Sequence, residues 1–202
     1  MIRFLFIAIT ILSVRPVNAQ FMSDDTHISF RYSYGRQDAA RYQNYGVQME
    51  LFLDDYISVN YQFELAYTTD QYRHLHMPGG IIGGPLMMAS GLIQSIGNGN
   101  SFDYGKGGIV LGIIMLVLPD GIGFHVPIGK HIDISPYGNF LGLDLIRDRI
   151  TGEHWIKYAG SFGAKLTYLH HSNFTLSVYA EQRKAAKFPW MKGIGFGIGY
   201  YF

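Results

Sequence analysis

The 202-residue chain is 48% hydrophobic and 15% aromatic but only 15% charged, enough for one compact domain and far from the composition of a disordered chain. A formal net charge of +1 gives no bulk attraction to nucleic acid, and the absence of cysteine excludes disulfides, thiol catalysis and Cys-ligated zinc. Charged residues normally make up about a quarter of a globular chain, so their shortage here, beside 25 Gly, 15 Tyr and 14 Phe, means that part of the surface faces something other than water.

The amino terminus reads as a secretory leader. Arg3 supplies the positive start, residues 4–12 the short apolar run, and Val17-Asn18-Ala19 the small-residue cleavage pattern. Residues 1–19 are expected to be removed near Ala19, leaving a mature domain over 20–202. The apolar run is shorter than the ~20 residues a spanning helix needs, and no Cys follows it to take a lipid anchor.

Beyond the leader the dominant signal is a period of two. In residues 56–67, Ile57, Val59, Tyr61, Phe63, Leu65 and Tyr67 alternate with Ser58, Asn60, Gln62, Glu64 and Ala66. Similar segments cover 27–34, 45–53, 121–128, 132–145, 155–169, 174–183 and 193–202, eight with the first. Several are about as long as a tilted strand must be to cross a bilayer, and longer than the five or six residues usual in soluble sheets. The connections between them alternate long and short, which is the asymmetry of a barrel with short periplasmic turns and longer outer loops. The expected fold is all-β: an eight-stranded antiparallel up-and-down transmembrane barrel.

The last segment sets Ile194, Phe196, Ile198, Tyr200 and Phe202 against Gly195, Gly197 and Gly199 and stops on Phe202. This resembles the carboxy-terminal signal of outer-membrane β-barrel proteins, and the mature chain as a whole resembles the small barrels typified by the transmembrane domain of outer-membrane protein A, including the barrel-domain proteins of Bacteroidetes-type bacteria. The resemblance implies residence in a bacterial outer membrane, recognition of Tyr200 and Phe202 by the barrel-assembly machinery, and contact with outer-membrane lipid, lipopolysaccharide included. No nucleic-acid partner and no cofactor is expected.

An eight-stranded barrel is just wide enough for side chains to fill it. The inward phase places Arg31, Glu50, Glu64, Asp133, Lys157, Lys165, Glu181 and Arg183 in the lumen. Acids and bases are balanced, so a self-neutralising network of Arg31, Glu50, Glu64, Lys157, Lys165, Glu181 and Arg183 is expected, with no open pore. A proton relay through Glu64, Glu181 and Lys165 is the functional alternative.

Residues 68–120 depart from a minimal barrel. Their two apolar stretches, 83–96 and 107–118, are expected to form a partly helical hydrophobic insert between strands 3 and 4, on the outer side by loop parity, packed over the barrel mouth or dipping into lipid. Such an insert could also offer a crevice for an acyl chain.

One motif carries candidate chemistry. His170-His171-Ser172-Asn173 resembles the His-x-Ser-Asn signature of outer-membrane lipid A deacylases, which implies His170 as base and Ser172 as nucleophile, with Glu181 as the available orienting acid. That family places its acid on the last strand, which here has none, and parity puts the motif in a periplasmic turn built from ordinary turn residues. His74-Leu75-His76 face one way on a strand but have no third ligand nearby in sequence, so no metal site is expected. The leading reading is therefore a non-enzymatic structural or interaction barrel. A lipid-modifying enzyme and a barrel that binds or transports a lipid or small hydrophobic ligand are the alternatives.

Overall fold

The computed structural model describes residues 25–80 and 118–202, and between them only 84, 85, 88, 89, 92, 109, 110 and 113. The leader expected over 1–19 lies outside the described residues. Ten strands form one sheet: β1 (Thr26–Gln37), β2 (Ala40–Asp54), β3 (Ile57–Thr68), β4 (Tyr72–Pro78), β5 (Gly121–Phe124), β6 (Val126–Ile128), β7 (Ile132–Asp148), β8 (His154–Leu169), β9 (Phe174–Ala185) and β10 (Met191–Tyr201). All pairings are antiparallel. The chain runs around a closed ring in sequence order, and β1 pairing with β10 removes the last open edge. There are eight staves, because β4, β5 and β6 together occupy the fourth position between β3 and β7.

Alternation explains the shell. Along β9, Phe174, Leu176, Val178 and Ala180 face outward while Thr175, Ser177, Tyr179, Glu181 and Arg183 are buried inside. β10 turns Ile194, Phe196, Ile198 and Tyr200 outward and its glycines inward. Polar atoms inside and an apolar band outside is the reverse of a water-soluble sheet and matches a barrel in lipid.

Two expectations need correction. The strands run further than alternation indicated, so the long connections largely vanish: only 38–39 separate β1 from β2, 69–71 separate β3 from β4, 149–153 separate β7 from β8, and 186–190 separate β9 from β10. Polar residues beyond the apolar band still pair into the ladder, and they hide the strand ends from a hydrophobicity pattern. Loop length thus no longer orients the molecule. Thr26 and Tyr201 lie at the same rim as the turns 55–56, 129–131 and 170–173.

The insert is the second correction. It does not follow strand 3 as an outer loop from residue 68. β4 turns straight back along β3, with Glu64 paired to His76, and the chain leaves the wall only after Pro78, to return at Gly121, paired with Asn60. Residues 79–120 therefore interrupt the fourth stave at mid-height. Asp120 repairs the break. Its N–H donates to Asn60 O (2.7 Å), its carbonyl accepts from Phe140 N (2.7 Å) and Leu141 N (3.0 Å), and its carboxylate accepts from Gln62 N (3.2 Å). Phe140 and Leu141 form a bulge in β7, where the register shifts between Asn139 and Gly142. Most of the stretches 83–96 and 107–118 lies outside the described residues, so the helices expected there are not shown as elements, and in them only the scattered residues 84, 85, 88, 89, 92, 109, 110 and 113 are described as helical.

Candidate functional site

Inward positions bring together the largest group of polar side chains in the described structure. Near mid-height Arg31 is the hub. Its Nη2 donates to Glu181 Oε2 and to the Tyr137 hydroxyl, both at 3.0 Å, its Nη1 donates to Gln48 Oε1 (3.1 Å), and Glu64 lies 3.6 Å away. The guanidinium rests 4.0 Å from the centre of the Tyr179 ring. Tyr137 donates to the same Glu181 oxygen at 2.7 Å. Above this layer Arg183 pairs with Glu64 (2.9 Å) and approaches Asp144 (4.0 Å), whose two oxygens accept from His76 Nδ1 (2.7 Å) and His74 Nδ1 (3.3 Å). Asn44 donates to Glu64.

The third of the barrel nearest Thr26 and Tyr201 holds two chains of the same kind. Lys165 and His27 Nδ1 both donate to Glu50 Oε2, at 2.5 and 2.7 Å, and His27 Nε2 accepts from the Thr175 hydroxyl at 2.8 Å. His125 Nδ1 donates to Asp133 Oδ2 (2.8 Å), so its Nε2 accepts from the Ser58 hydroxyl (2.9 Å). A hydroxyl–imidazole–carboxylate chain is the order that activates serine in hydrolases. Here it occurs twice, with Ser58 and Thr175 fully buried. The His27 ring stacks on Tyr201 (4.4 Å) and the His125 ring packs on Phe52 (4.5 Å), so aromatic side chains cap both chains at this end. At the opposite end Phe188 packs edge-on against Tyr72 and His74. The lumen is a polar core between two apolar lids.

The structure brings together Arg31, Glu50, Glu64, Lys165, Glu181 and Arg183 as buried, mutually bonded residues. Lys157 shares the inward phase and is paired in register with Asp144, but it is half-exposed near the outer rim and takes part in none of these ion pairs. Tyr200 and Phe202 face outward at the rim that carries Thr26. His170 and Ser172 do meet, at 2.8 Å in the exposed β8–β9 turn. Glu181 does not join them. Seven residues beyond the start of β9, it sits roughly 20 Å up the strand at ~3.3 Å per residue, with its Oε2 accepting from Arg31, Tyr137 and Gln62. The motif is a turn at the rim that carries Thr26 and Tyr201.

Several lumen residues are not placed in the lumen by the sequence reading: His27, His125, Asp120, Asp144, Tyr137 and Asn139, and the pair His74 and His76, weighed there only as metal ligands. His27 was legible, since it shares the phase of Ser29, Arg31 and Ser33. His74 and His76 share a phase that only becomes a wall position once β4 is known to be a strand. Asp144 was hidden by the β7 bulge, as strict alternation from Asp133 turns it outward. Among the described residues no cluster has an arrangement able to hold a metal ion.

The outer face has its own pattern. At the rim away from Thr26 and Tyr201, six charged side chains occupy outward strand positions among the described residues, Arg36, Arg41, Arg73, Arg147, Lys184 and Lys192, and all are basic; Asp54, paired with Ile57, lies at the opposite rim.

No family model matches the chain, and no curated protein matches its sequence. Similarity is found among solved structures. The N-terminal β-barrel domain of Pseudomonas aeruginosa OprF is 13% identical at a TM-score of 0.52, over 88% of this chain and 98% of that one. Neisserial surface protein A is 7% identical at a TM-score of 0.51, over 88% and 96%. The outer membrane enzyme PagL is 8% identical over 85% and 98%, at a TM-score of 0.44, too low to carry an argument. At these identities the likeness shows the fold, that of a small transmembrane β-barrel of the outer-membrane type.

Proposed function

We propose that this chain is a resident of the bacterial outer membrane with a structural or interaction role, closed to ions, whose contacts are made by its outer surface. It is exported on the leader 1–19, cut near Ala19, and folded by the barrel-assembly machinery through Tyr200 and Phe202. Its surroundings are outer-membrane lipid, including lipopolysaccharide. The observation that carries this reading is the burial of Arg31, Glu64, Glu181 and Arg183 in one bonded group, with Phe52 and Tyr201 below and Phe188 above. Charges bonded to each other within a lumen of this width leave no water path. The test is conductance of purified barrel in a planar bilayer. No steady current is expected, and stable single-channel steps would overturn the closed lumen.

A lipid-modifying enzyme is the rival reading. The His170–Ser172 contact favours it, while the commitment of Glu181 to the lumen and the periplasmic position of the turn speak against it. Ser172→Ala should leave the acylation pattern of lipid A in the producing cell unchanged. A changed pattern would restore the enzyme. Lipid binding, the third reading, bears on the outer wall.

A further inference from the structure

We propose that the outer wall formed by β2, β1, β10, β9 and β8 holds a phosphorylated, acylated lipid of the outer leaflet, its phosphate bridging Arg41, Arg36 and Lys192 and an acyl chain lying in the furrow beneath them.

The three cations form one row. Arg36 is paired directly with Arg41 on β2 and with Lys192 on β10, and all three side chains are exposed. Like charges directly opposite on neighbouring strands destabilise a sheet. None of the three makes an ion pair within the described residues, and no carboxylate occupies an outward strand position at this rim among them. Arg73, at the same rim, differs: its guanidinium sits over the Tyr67 ring at 5.3 Å. An anion shared by the row removes the repulsion and supplies the missing acceptors, and arginine's fork suits phosphate oxygens.

The height of the row identifies which anion. On β10 the outward residues from Ile194 to Phe202 are all apolar, covering roughly 26 Å of strand, close to the ~25 Å apolar band of outer-membrane barrels. Lys192 is the next outward residue above that band. On β1, Ile28, Phe30, Tyr32 and Tyr34 lead to Arg36 in the same way. The row therefore lies where lipid headgroups meet acyl chains.

Below it the wall is hollowed. Ala164 on β8 and Ala180 on β9 are paired neighbours that both face outward, between the larger Phe162, Leu166, Val178 and Ile194. A furrow of ≈ 590 Å³ runs down from Arg36 and Lys192 past Tyr34, Phe162, Ala180 and Ile194. It continues into a second of ≈ 760 Å³ that shares Tyr34, Ala180 and Ile194. Two small side chains abreast in a wall of aromatic and branched ones make room for a chain lying along the strands, and the cations at its upper end select a headgroup that carries phosphate.

The leaflet assignment rests on the orientation proposed above; the site itself does not. Purified full-length barrel in phosphatidylcholine nanodiscs is titrated with bis-phosphorylated hexa-acyl lipid A, with its dephosphorylated form, and with inorganic phosphate as competitor. Saturable retention of lipid A is expected, at least ~10-fold weaker in Arg36→Gln/Arg41→Gln/Lys192→Gln. Ala180→Phe, which fills the furrow and leaves the charges in place, should also weaken retention while the barrel keeps its heat-dependent gel migration. Undiminished retention in the triple variant, or equal retention of the dephosphorylated lipid, overturns the site. Displacement by low-millimolar inorganic phosphate would show a free-anion site in place of a lipid. Conductance is read separately, so failure of the closed-lumen reading is distinguishable from failure of this one.

Discussion

Gly195 on β10 is paired directly with Tyr179 on β9, and a methyl group at Gly195 would fall 2.5 Å from Tyr179 Cζ and 2.7 Å from its hydroxyl oxygen. The glycine is the seat of the ring, and the ring is the platform under the Arg31 guanidinium. Gly193 serves Tyr42 and Gly199 serves His27 and Thr175 in the same way. Gly195→Ala should therefore cost about 1–3 kcal/mol by overpacking, read from urea unfolding of the barrel folded in vesicles. Combined with Tyr179→Ala the two costs should fall short of additive by the ring's share of the clash, the approach of the same methyl to the Tyr32 carbonyl oxygen remaining in both. Strict additivity would mean that glycine and ring do not bear on each other.

Arg31 is the only cation bonded to Glu181 in the described lumen, and it also faces Glu64. Arg31→Met strands Glu181 without an ion-pair partner in a water-poor interior, a loss of about 3–5 kcal/mol. Arg31→Met/Glu181→Gln should recover part of that loss, because the leftover charge is gone and the glutamine can still accept from Tyr137. The check is the unfolding midpoint of the two variants side by side. A double variant less stable than Arg31→Met would argue that Glu181 is stabilised by other groups.

How far the sequence reveals this molecule depends on where period two holds. β3, β9 and β10 alternate without interruption, and their inward Glu64, Glu181 and Arg183 could be read off directly. β7 does not: the bulge at Phe140 and Leu141 inserts one residue, so Asp133, Ser135, Tyr137 and Asn139 face inward by odd numbers and Asp144, Ile146 and Asp148 by even ones. A phase carried through from Asp133 turns Asp144 outward and Arg147 inward, reversing both. The fourth stave was misread for another reason. β4 is only seven residues long and is separated from β5 by 42 residues, so neither half reads as a membrane-length strand. The cation row was visible only as a basic excess in presumed loops, since pairing Arg36 with Arg41 and Lys192 requires the register.

Asp120 holds four backbone partners at the break in the wall, three through its own main chain and one through its carboxylate. Asp120→Ala removes the last, together with the carboxylate's 3.7 Å approach to His76 Nε2, and leaves the Gln62 N–H buried without an acceptor, a loss of about 1–3 kcal/mol for the unpaired N–H alone. Asp120→Asn keeps an acceptor oxygen and should retain most of the stability. Amide hydrogen exchange at Gln62 measures this locally. Protection unchanged in Asp120→Ala would show that the carboxylate is not what closes the ladder there.

The register also states how the barrel would look without its insert. On β3, Glu64 pairs with His76 and Asn60 with Gly121, so Tyr61, Gln62 and Phe63 face a stretch where Met77, Pro78 and a single further residue would complete a continuous strand. Replacing 79–120 by one threonine keeps His76 and Gly121 on the lumen side and Ile122 and Phe124 on the lipid side. It also leaves one residue opposite the two of the β7 bulge, the usual bulge count. That shortened chain should fold and show heat-dependent gel migration. A two-residue replacement shifts the phase, turns Ile122 and Phe124 into the polar core, and should fail to fold. If both versions fold equally well, β5 is not held in the wall by the pairing with Asn60 and Asn139. If neither does, residues 79–120 contribute to building the barrel and not only to interrupting it.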